Sequence, residues 1–355
     1  MPGFMHVLIL YPNFLHSRMD EFHIDQPFKL ENGGALPGIK IAYHTYGELN
    51  EAADNVVWVC HALTANSNVT RWWPGMVGEN HFIDPKTHFI VCANILGSCY
   101  GTSGPLSQDP DSGEIYFSHF PLITIRDMVN AHILLRKHLG IRQIALMMGG
   151  SMGGYQALEW CVMEPEMIKD LFLIATSAAE TAWGVAVHTA QRLAIEADPS
   201  WKDLNEDAGA AGLKAARAIG ILTYRNYTIM KEKQSDGDQE KLDNFRASSY
   251  INYQGDKLVR RFNAYSYWLL TKAMDTHNLS RGRGGDLKKV LSGIRQRTLI
   301  IGITSDILCP LDEQKFIADY TPDCRLVTID SIYGHDGFMV ESEKVGNSLM
   351  RWLKK

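Results

Sequence analysis

Ile144-Ala145-Leu146-Met147-Met148-Gly149-Gly150-Ser151-Met152-Gly153-Gly154 is the stretch whose reading decides the fold. Its first five residues form an apolar run, and the next five set a serine in a G-x-S-x-G frame. A helical segment, 155–163, follows at once. A strand that feeds a tight turn and then a helix is the setting of a nucleophile elbow, whose strained junction lifts a serine hydroxyl clear of a sheet. Glycines two before and two after are needed because side chains there would collide within the turn. Ser151 is therefore the candidate nucleophile.

Working outward, similar short apolar runs lie at 56–60, 89–95, 171–175, 299–303 and 326–329. Nearly continuous apolar runs of this length mark strands buried on both faces of a parallel sheet. Between two of them, Thr124 is placed to N-cap a helix through Leu139, with Asp127 completing a capping box and Gly140 stopping it. Strands alternating with helices predict a doubly wound α/β sheet. Ahead of it, Phe28-Lys29-Leu30 and Ile39-Lys40-Ile41-Ala42-Tyr43 read as a hairpin around Asn32-Gly33-Gly34 and Pro37-Gly38. Residues 1–27 read as an N-terminal extension detached from the fold; its apolar run Val7-Leu8-Ile9-Leu10 is broken by Tyr11-Pro12, and Met19 offers a second start.

The alternation stops between 179 and 296, where helical patterns dominate. The expected organisation is a core domain of 28–178 and 297–355, interrupted by a helical cap domain of 179–296. Within the cap, 231–241 and Ser280-Arg281-Gly282-Arg283-Gly284-Gly285 read as surface loops, the latter rather than an RNA-binding tract.

Composition narrows the class. The chain has 355 residues, 35 Lys+Arg against 40 Asp+Glu, a net charge of −5, 45% hydrophobic and 21% charged residues. That balance is ordinary for a soluble globular protein and gives no electrostatic footprint for nucleic acid. No apolar run approaches the roughly 18 residues a membrane span needs. The six cysteines include no C-x-x-C pair, so reduced thiols and a cytoplasmic location are expected. There is no H-E-x-x-H, no cysteine–histidine cluster, no Walker A lysine and no G-x-G-x-x-G, so neither a metal nor a bound nucleotide cofactor is expected.

A serine needs a base to take its proton and a carboxylate to orient that base. In α/β-hydrolases the order along the chain is Ser, acid, His. Asp306 follows the run 299–303, and His335 lies after the last run within Tyr333-Gly334-His335-Asp336-Gly337. Asp330 and Asp312 are rival acids, and His44, His61, His132 and His277 are rival bases without a post-strand, glycine-flanked position. The oxyanion formed during acyl transfer needs fixed N–H donors. The residue after the nucleophile, Met152, supplies one; Leu63, in the loop after strand 56–60, is the candidate for the other. His61 reads as a residue that packs this loop.

Beyond that point the chain from about residue 28 resembles the homoserine O-acetyltransferases. The matching stretches are Leu36-Pro37 with 41–47, His61-Ala62-Leu63-Thr64, 94–105, 149–160, 216–220 through Thr223-Tyr224-Arg225, Tyr253-Gln254-Gly255 and 333–336. The resemblance implies an α/β-hydrolase fold with a mostly parallel central sheet and an inserted helical cap. It implies acetyl transfer from acetyl-CoA to the hydroxyl of L-homoserine in methionine biosynthesis, through an acyl-serine, with acetyl-CoA as co-substrate and a homodimer as the assembly. The family's catalytic serine, aspartate and histidine fall on Ser151, Asp306 and His335, and its substrate-binding residues on Arg217, Tyr224 and Asp336. Without the resemblance, Arg217 reads as a residue of a solvated helix face and Asp336 as a turn residue. One departure stands out: Ala65-Asn66 follow Thr64 where the family commonly carries glycine. That keeps a succinyl donor as an alternative, and a plain serine hydrolase or esterase is another because the same fold hosts those activities.

Overall fold

The apolar runs become the strands of one eight-stranded sheet in a computed structural model that describes residues 18–355. The run Val7-Leu8-Ile9-Leu10 lies outside the described residues. In chain order the strands are β1 (Asp20–Ile24), β2 (Phe28–Lys29), β3 (Ala35–Leu36), β4 (Ile39–Tyr46), β5 (Val56–Cys60), β6 (Phe89–Ala93), β7 (Ile144–Gly150), β8 (Ile168–Ile174), β9 (Arg297–Ile303) and β10 (Cys324–Ile329). The large sheet runs β1-β4-β6-β5-β7-β8-β9-β10. From β6 to β10 all neighbours are parallel, while β4 meets β6, and β1 meets β4, antiparallel.

Two sequence expectations change here. The hairpin partner of Phe28-Lys29 is Ala35-Leu36, and Ile39–Tyr46 instead joins the large sheet. The stretch assigned to a detached extension also contributes β1, which pairs along its whole length with β4. Phe28 and Leu36 are buried opposite each other, which fixes the small hairpin, while Ile41 and Ala42 are wholly buried and hold β4 in the sheet.

The helices are α1 (Val69–Trp72), α2 (Ile125–His138), α3 (Met152–Met163), α4 (Ala182–Glu196), α5 (Ala210–Tyr224), α6 (Tyr227–Gln234), α7 (Arg246–Val259), α8 (Ala264–Asp275), α9 (Leu287–Leu291), α10 (Leu311–Tyr320), α11 (Gly337–Val340) and α12 (Ser342–Leu353). Thr124 and Asp127 form the expected capping box at α2, and Gly140 takes a φ of +68° just past its end. Alternate residues of β5 serve opposite faces, as the strand period of two demands. Trp58 packs with Met128, Leu158 and Trp160 of α2 and α3, whereas Val57 and Val59 pack with Trp73, Leu349 and Trp352.

Between β8 and β9 the described chain carries α4 to α9 and no strand beyond an isolated bridge, Ala179 with Asn278. The returning loop 280–285 commits both of its arginines. Arg281 Nη2 lies 2.7 Å from Glu31 Oε2, and Arg283 Nη1 donates to Glu159 Oε2 at 3.0 Å.

β5 is the point where the chain reverses its direction of travel across the sheet, with β6 on one side and β7 on the other. Ligand sites in open α/β sheets form at the carboxyl ends of strands beside such a point. Cys60 pairs with Gly149 there, so the loop after β5 and the turn after β7 emerge side by side.

Candidate active site

Ser151 joins β7 to α3 with φ +54° and ψ −129°, a conformation non-glycine residues avoid. The surroundings hold it: its N–H donates to the Ile174 carbonyl at 3.1 Å, and Thr176 Oγ1 donates to its own carbonyl at 2.9 Å. The flanking glycines are required by space. A β-carbon on Gly149 would stand 2.3 Å from the Gly153 carbonyl oxygen, and one on Gly154 would meet Thr176 Oγ1 at 2.3 Å.

Asp306 sits in the loop after β9, where its Oδ1 accepts the N–H groups of Leu308 and Cys309 at 2.8 and 2.9 Å. That leaves Oδ2 to bind His335 Nδ1 at 2.7 Å, and His335 Nε2 lies 2.9 Å from Ser151 Oγ. With Nδ1–H donating to the carboxylate, Nε2 is the acceptor that faces the serine hydroxyl. All three residues are buried. The rivals are engaged elsewhere: Asp330 accepts from Thr304 Oγ1, and Asp312 faces solvent beside Lys315. His44 meets Ser67, and His277 meets the Ser177 carbonyl. His132 is buried, and desolvation pushes its pKa down to about 3.

Burial alone would lower the pKa of His335. The Asp306 charge and hydrogen bond, with smaller contributions from Asp336 and Glu180, outweigh it and leave His335 above its ordinary value. Gly334, at φ +65°, lets this loop approach the end of α5: a β-carbon there would lie 2.8 Å from the Tyr224 carbonyl oxygen. Its N–H donates to Ser305 Oγ at 3.0 Å, tying the base loop to the acid loop.

His61 shapes the loop after β5. Its Nδ1 donates to the Ala62 carbonyl at 2.9 Å and its Nε2 accepts from the Ile95 N–H at 3.2 Å. Burial drives its pKa down to about 4, so both nitrogens of a neutral ring are occupied by structure. Leu63 follows in this loop, and Met152 is the first residue of α3, where backbone N–H groups lack intrahelical partners.

A cleft opens over the serine, lined by Leu63, Ser151, Arg217, Tyr224, His335 and Asp336 among others. Asp306 stands behind His335, and Met152 follows Ser151. Arg217 and Tyr224 are two helical turns apart on α5 and face the same side. The guanidinium carbon lies 5.3 Å from the Tyr224 ring centre, and that ring is 5.9 Å from the His335 ring. Burial raises the pKa of Asp336, against the pull of Arg225, His335 and Arg217. Arg225 Nε is 3.1 Å from Asp336 Oδ2, a charge contact whose N–H is not aligned as a hydrogen bond.

Sequence reasoning missed that pairing, though Arg225 stands in the quoted run Thr223-Tyr224-Arg225. It also missed His188 and Gln191, which line the cleft from α4. Their only sequence signal is two polar residues three apart on the apolar side of an amphipathic helix. Among the described residues, no group of three or more His, Cys, Asp or Glu side chains is arranged to hold a metal ion.

Residues 55–342 match the family model described as alpha/beta hydrolase fold. The homoserine O-acetyltransferase of Cyclobacterium marinum is 44% identical over 324 residues, 91% of this chain and 92% of that protein. That of Trichormus variabilis is 43% identical over 334 residues, 93% and 92% of the two chains. The chain belongs to the homoserine O-acetyltransferase family. A solved homoserine O-acetyltransferase, from Bacillus anthracis, matches with a TM-score of 0.84 at 25% identity, covering 93% of this chain and 96% of that one. The fold and family expected from the sequence both hold. Several of the stretches that carried the resemblance to homoserine O-acetyltransferases reach the cleft: Ala62, Leu63 and Thr64 beside the serine, Arg217 and Tyr224 on α5, and His335 with Asp336.

Proposed function

We propose that this protein transfers acetyl from acetyl-CoA to the hydroxyl of L-homoserine, by way of acetyl-Ser151, and so serves methionine biosynthesis. The observation that carries the reading is the Ser151–His335–Asp306 relay opening on a cleft whose wall presents both a guanidinium and a carboxylate. A zwitterionic amino acid needs both.

In the first half-reaction His335 Nε2 takes the Ser151 proton as Oγ attacks the thioester carbonyl. The oxyanion rests on the N–H groups of Leu63 and Met152. The tetrahedral intermediate collapses, the carbon–sulfur bond breaks, and His335 returns the proton to the departing thiolate. In the second half-reaction the homoserine carboxylate lies on Arg217, whose fork suits two oxygens, with Tyr224 packed beside it and Asp336 toward the ammonium. His335 now takes the homoserine hydroxyl proton, the alkoxide attacks the acetyl ester, and Ser151 leaves reprotonated. Asp306 orients the ring and stabilises the imidazolium throughout. Water competes for acetyl-Ser151. Correct placement of an acceptor confers an effective molarity of roughly 10⁵–10⁸ M, enough to outcompete it. The segment 179–296 acts as the cap domain that supplies this placement. Acetyl-CoA is a co-substrate, and no resident cofactor takes part.

The test is free-thiol release from acetyl-CoA with and without L-homoserine. Homoserine-dependent release is the expected result; full-rate release without homoserine would make the protein a hydrolase. Ala65-Asn66 after Thr64 is what favours a second donor, and an equal or faster rate with succinyl-CoA would make it a succinyltransferase. We further infer a cytoplasmic homodimer. Six unpaired cysteines suit a reducing compartment, and Tyr227, Leu242 and Tyr253 of the inserted segment are exposed apolar side chains suited to a partner copy. Sedimentation at equilibrium tests the dimer.

A further inference from the structure

Two residues that line the cleft each carry a buried polar atom without a hydrogen-bond partner: Gln191 has Oε1, an acceptor, and Arg217 has Nε, a donor. Gln191 is only 1% exposed, and leaving a buried polar group unpaired costs stability unless something else fills it. Gln191 Nε2 lies against Gly220 of α5, where a β-carbon would stand 3.1 Å away and would also meet the Tyr224 ring at 3.3 Å. One turn before it on α4, His188 binds Asp275 through Nδ1 at 2.9 Å, and Arg192 binds the other oxygen of that carboxylate at 2.6 Å. This cluster anchors α4 to α8, so the polar face that carries Gln191 is fixed before any ligand arrives.

An unpaired acceptor and an unpaired donor in one cleft complement a zwitterion. An ammonium brings three N–H donors, each of which must find an acceptor once water is excluded. Asp336 does not meet that need alone, because its carboxylate already faces Arg225. We propose that Gln191 is a binding residue for the acceptor amino acid, its Oε1 taking one N–H of the substrate ammonium while Asp336 takes another. This rests on the homoserine reading above.

Ping-pong kinetics separate the two substrates, since kcat/KM for each reports its own half-reaction. In Gln191→Met, which keeps the length and loses the acceptor, kcat/KM for L-homoserine should fall about 10- to 100-fold, the worth of one hydrogen bond to a charged group. The acetyl-CoA value should be unchanged, which also shows that the variant is folded. With 4-hydroxybutyrate, which lacks the ammonium, Gln191→Met and the original should perform alike. Gln191→Glu keeps an acceptor and should lie closer to the original than Gln191→Met does. A fall in the acetyl-CoA value, an equal fall with 4-hydroxybutyrate, or a greater loss in Gln191→Glu would each overturn the proposal. Absence of homoserine-dependent turnover in the unaltered protein would instead remove the reading on which it rests.

Discussion

Gly153 passes so close beneath Cys60 that a β-carbon on it would stand 2.1 Å from the Cys60 carbonyl oxygen. The first turn of α3 therefore lies directly against the loop that leaves β5. Gln156 Nε2 secures the same junction, reaching the carbonyls of His61 and Met152 at 3.2 Å each. The turn that carries Ser151 and Met152 and the loop that carries Leu63 are thus held together where these two strands end.

Gly153→Ala should separate those strand ends. Backbone lies on both sides of the added methyl, so the relief must come from a shift of the loop 61–63 or of the elbow. A misplacement of about 1 Å costs on the order of 100-fold in rate, and overpacking costs about 1–3 kcal/mol. Thiol release and urea unfolding measure the two. Near-normal turnover in this variant would show that the contact does not position Leu63 and Met152 as the proposed oxyanion donors.

The acid limb of kcat/KM for acetyl-CoA should report His335, which must be neutral to act as base. Burial lowers its pKa, but Asp306 chiefly, with Asp336 and Glu180, raises it above 6.5 overall. The rate should therefore rise with pH through a value above 6.5. The same shift stabilises the fold, because the native state favours the protonated ring. That contribution is full below the unfolded value near 6.5 and is lost as pH rises through the folded value. In Asp306→Asn the titration of the His335 ring, followed by NMR, should move to lower pH; an unmoved titration would remove Asp306 as the cause.

Much of this was legible before any coordinates. The inner strands are buried on both faces, so Val56-Val57-Trp58-Val59-Cys60 reads as an apolar run whatever lies around it. Ser151, Asp306 and His335 follow strand ends in a fixed order, and order survives in a one-dimensional text. The edge was not legible. Asp20–Ile24 is short, polar and mostly exposed, and only its pairing with β4 makes it a strand. Arg225 with Asp336 is a relation across more than a hundred residues of chain, and the unpaired Oε1 of Gln191 is a property of the folded packing alone. The local mark of Gln191 is its place on the apolar side of α4, which a polar residue buried for structure alone would share.

Ser151→Ala should lower kcat by roughly 10⁴- to 10⁶-fold, the range for deleting the nucleophile of such a relay. The fold should survive, because the backbone bonds to Ile174 and Thr176 do not involve the side chain. Mass spectrometry of the unaltered protein, quenched with acetyl-CoA before homoserine is added, should find acetyl on the peptide that carries residue 151. A label on any other residue would move the nucleophile.

Glu159→Leu should destabilise the fold more than Arg283→Met. Glu159 lies on α3, 3% exposed, and accepts from Arg126 Nε at 2.7 Å and from Arg283. Burial raises the pKa of its carboxyl, but the hydrogen bonds from the two guanidiniums outweigh that and hold it below the usual range. Removing Glu159 strands Arg283, whose other partner is the Leu279 carbonyl, whereas Arg126 keeps its pairing with Glu31. Arg283 is about a fifth exposed, so stranding it costs less than the roughly 3–5 kcal/mol of a fully buried charge. Removing Arg283 leaves Glu159 still paired with Arg126 and should cost less. Urea unfolding of the two variants compares them directly. Equal costs would mean that the loop 280–285 is held by its backbone, and that the carboxylate on α3 contributes little to fastening the inserted segment to the sheet.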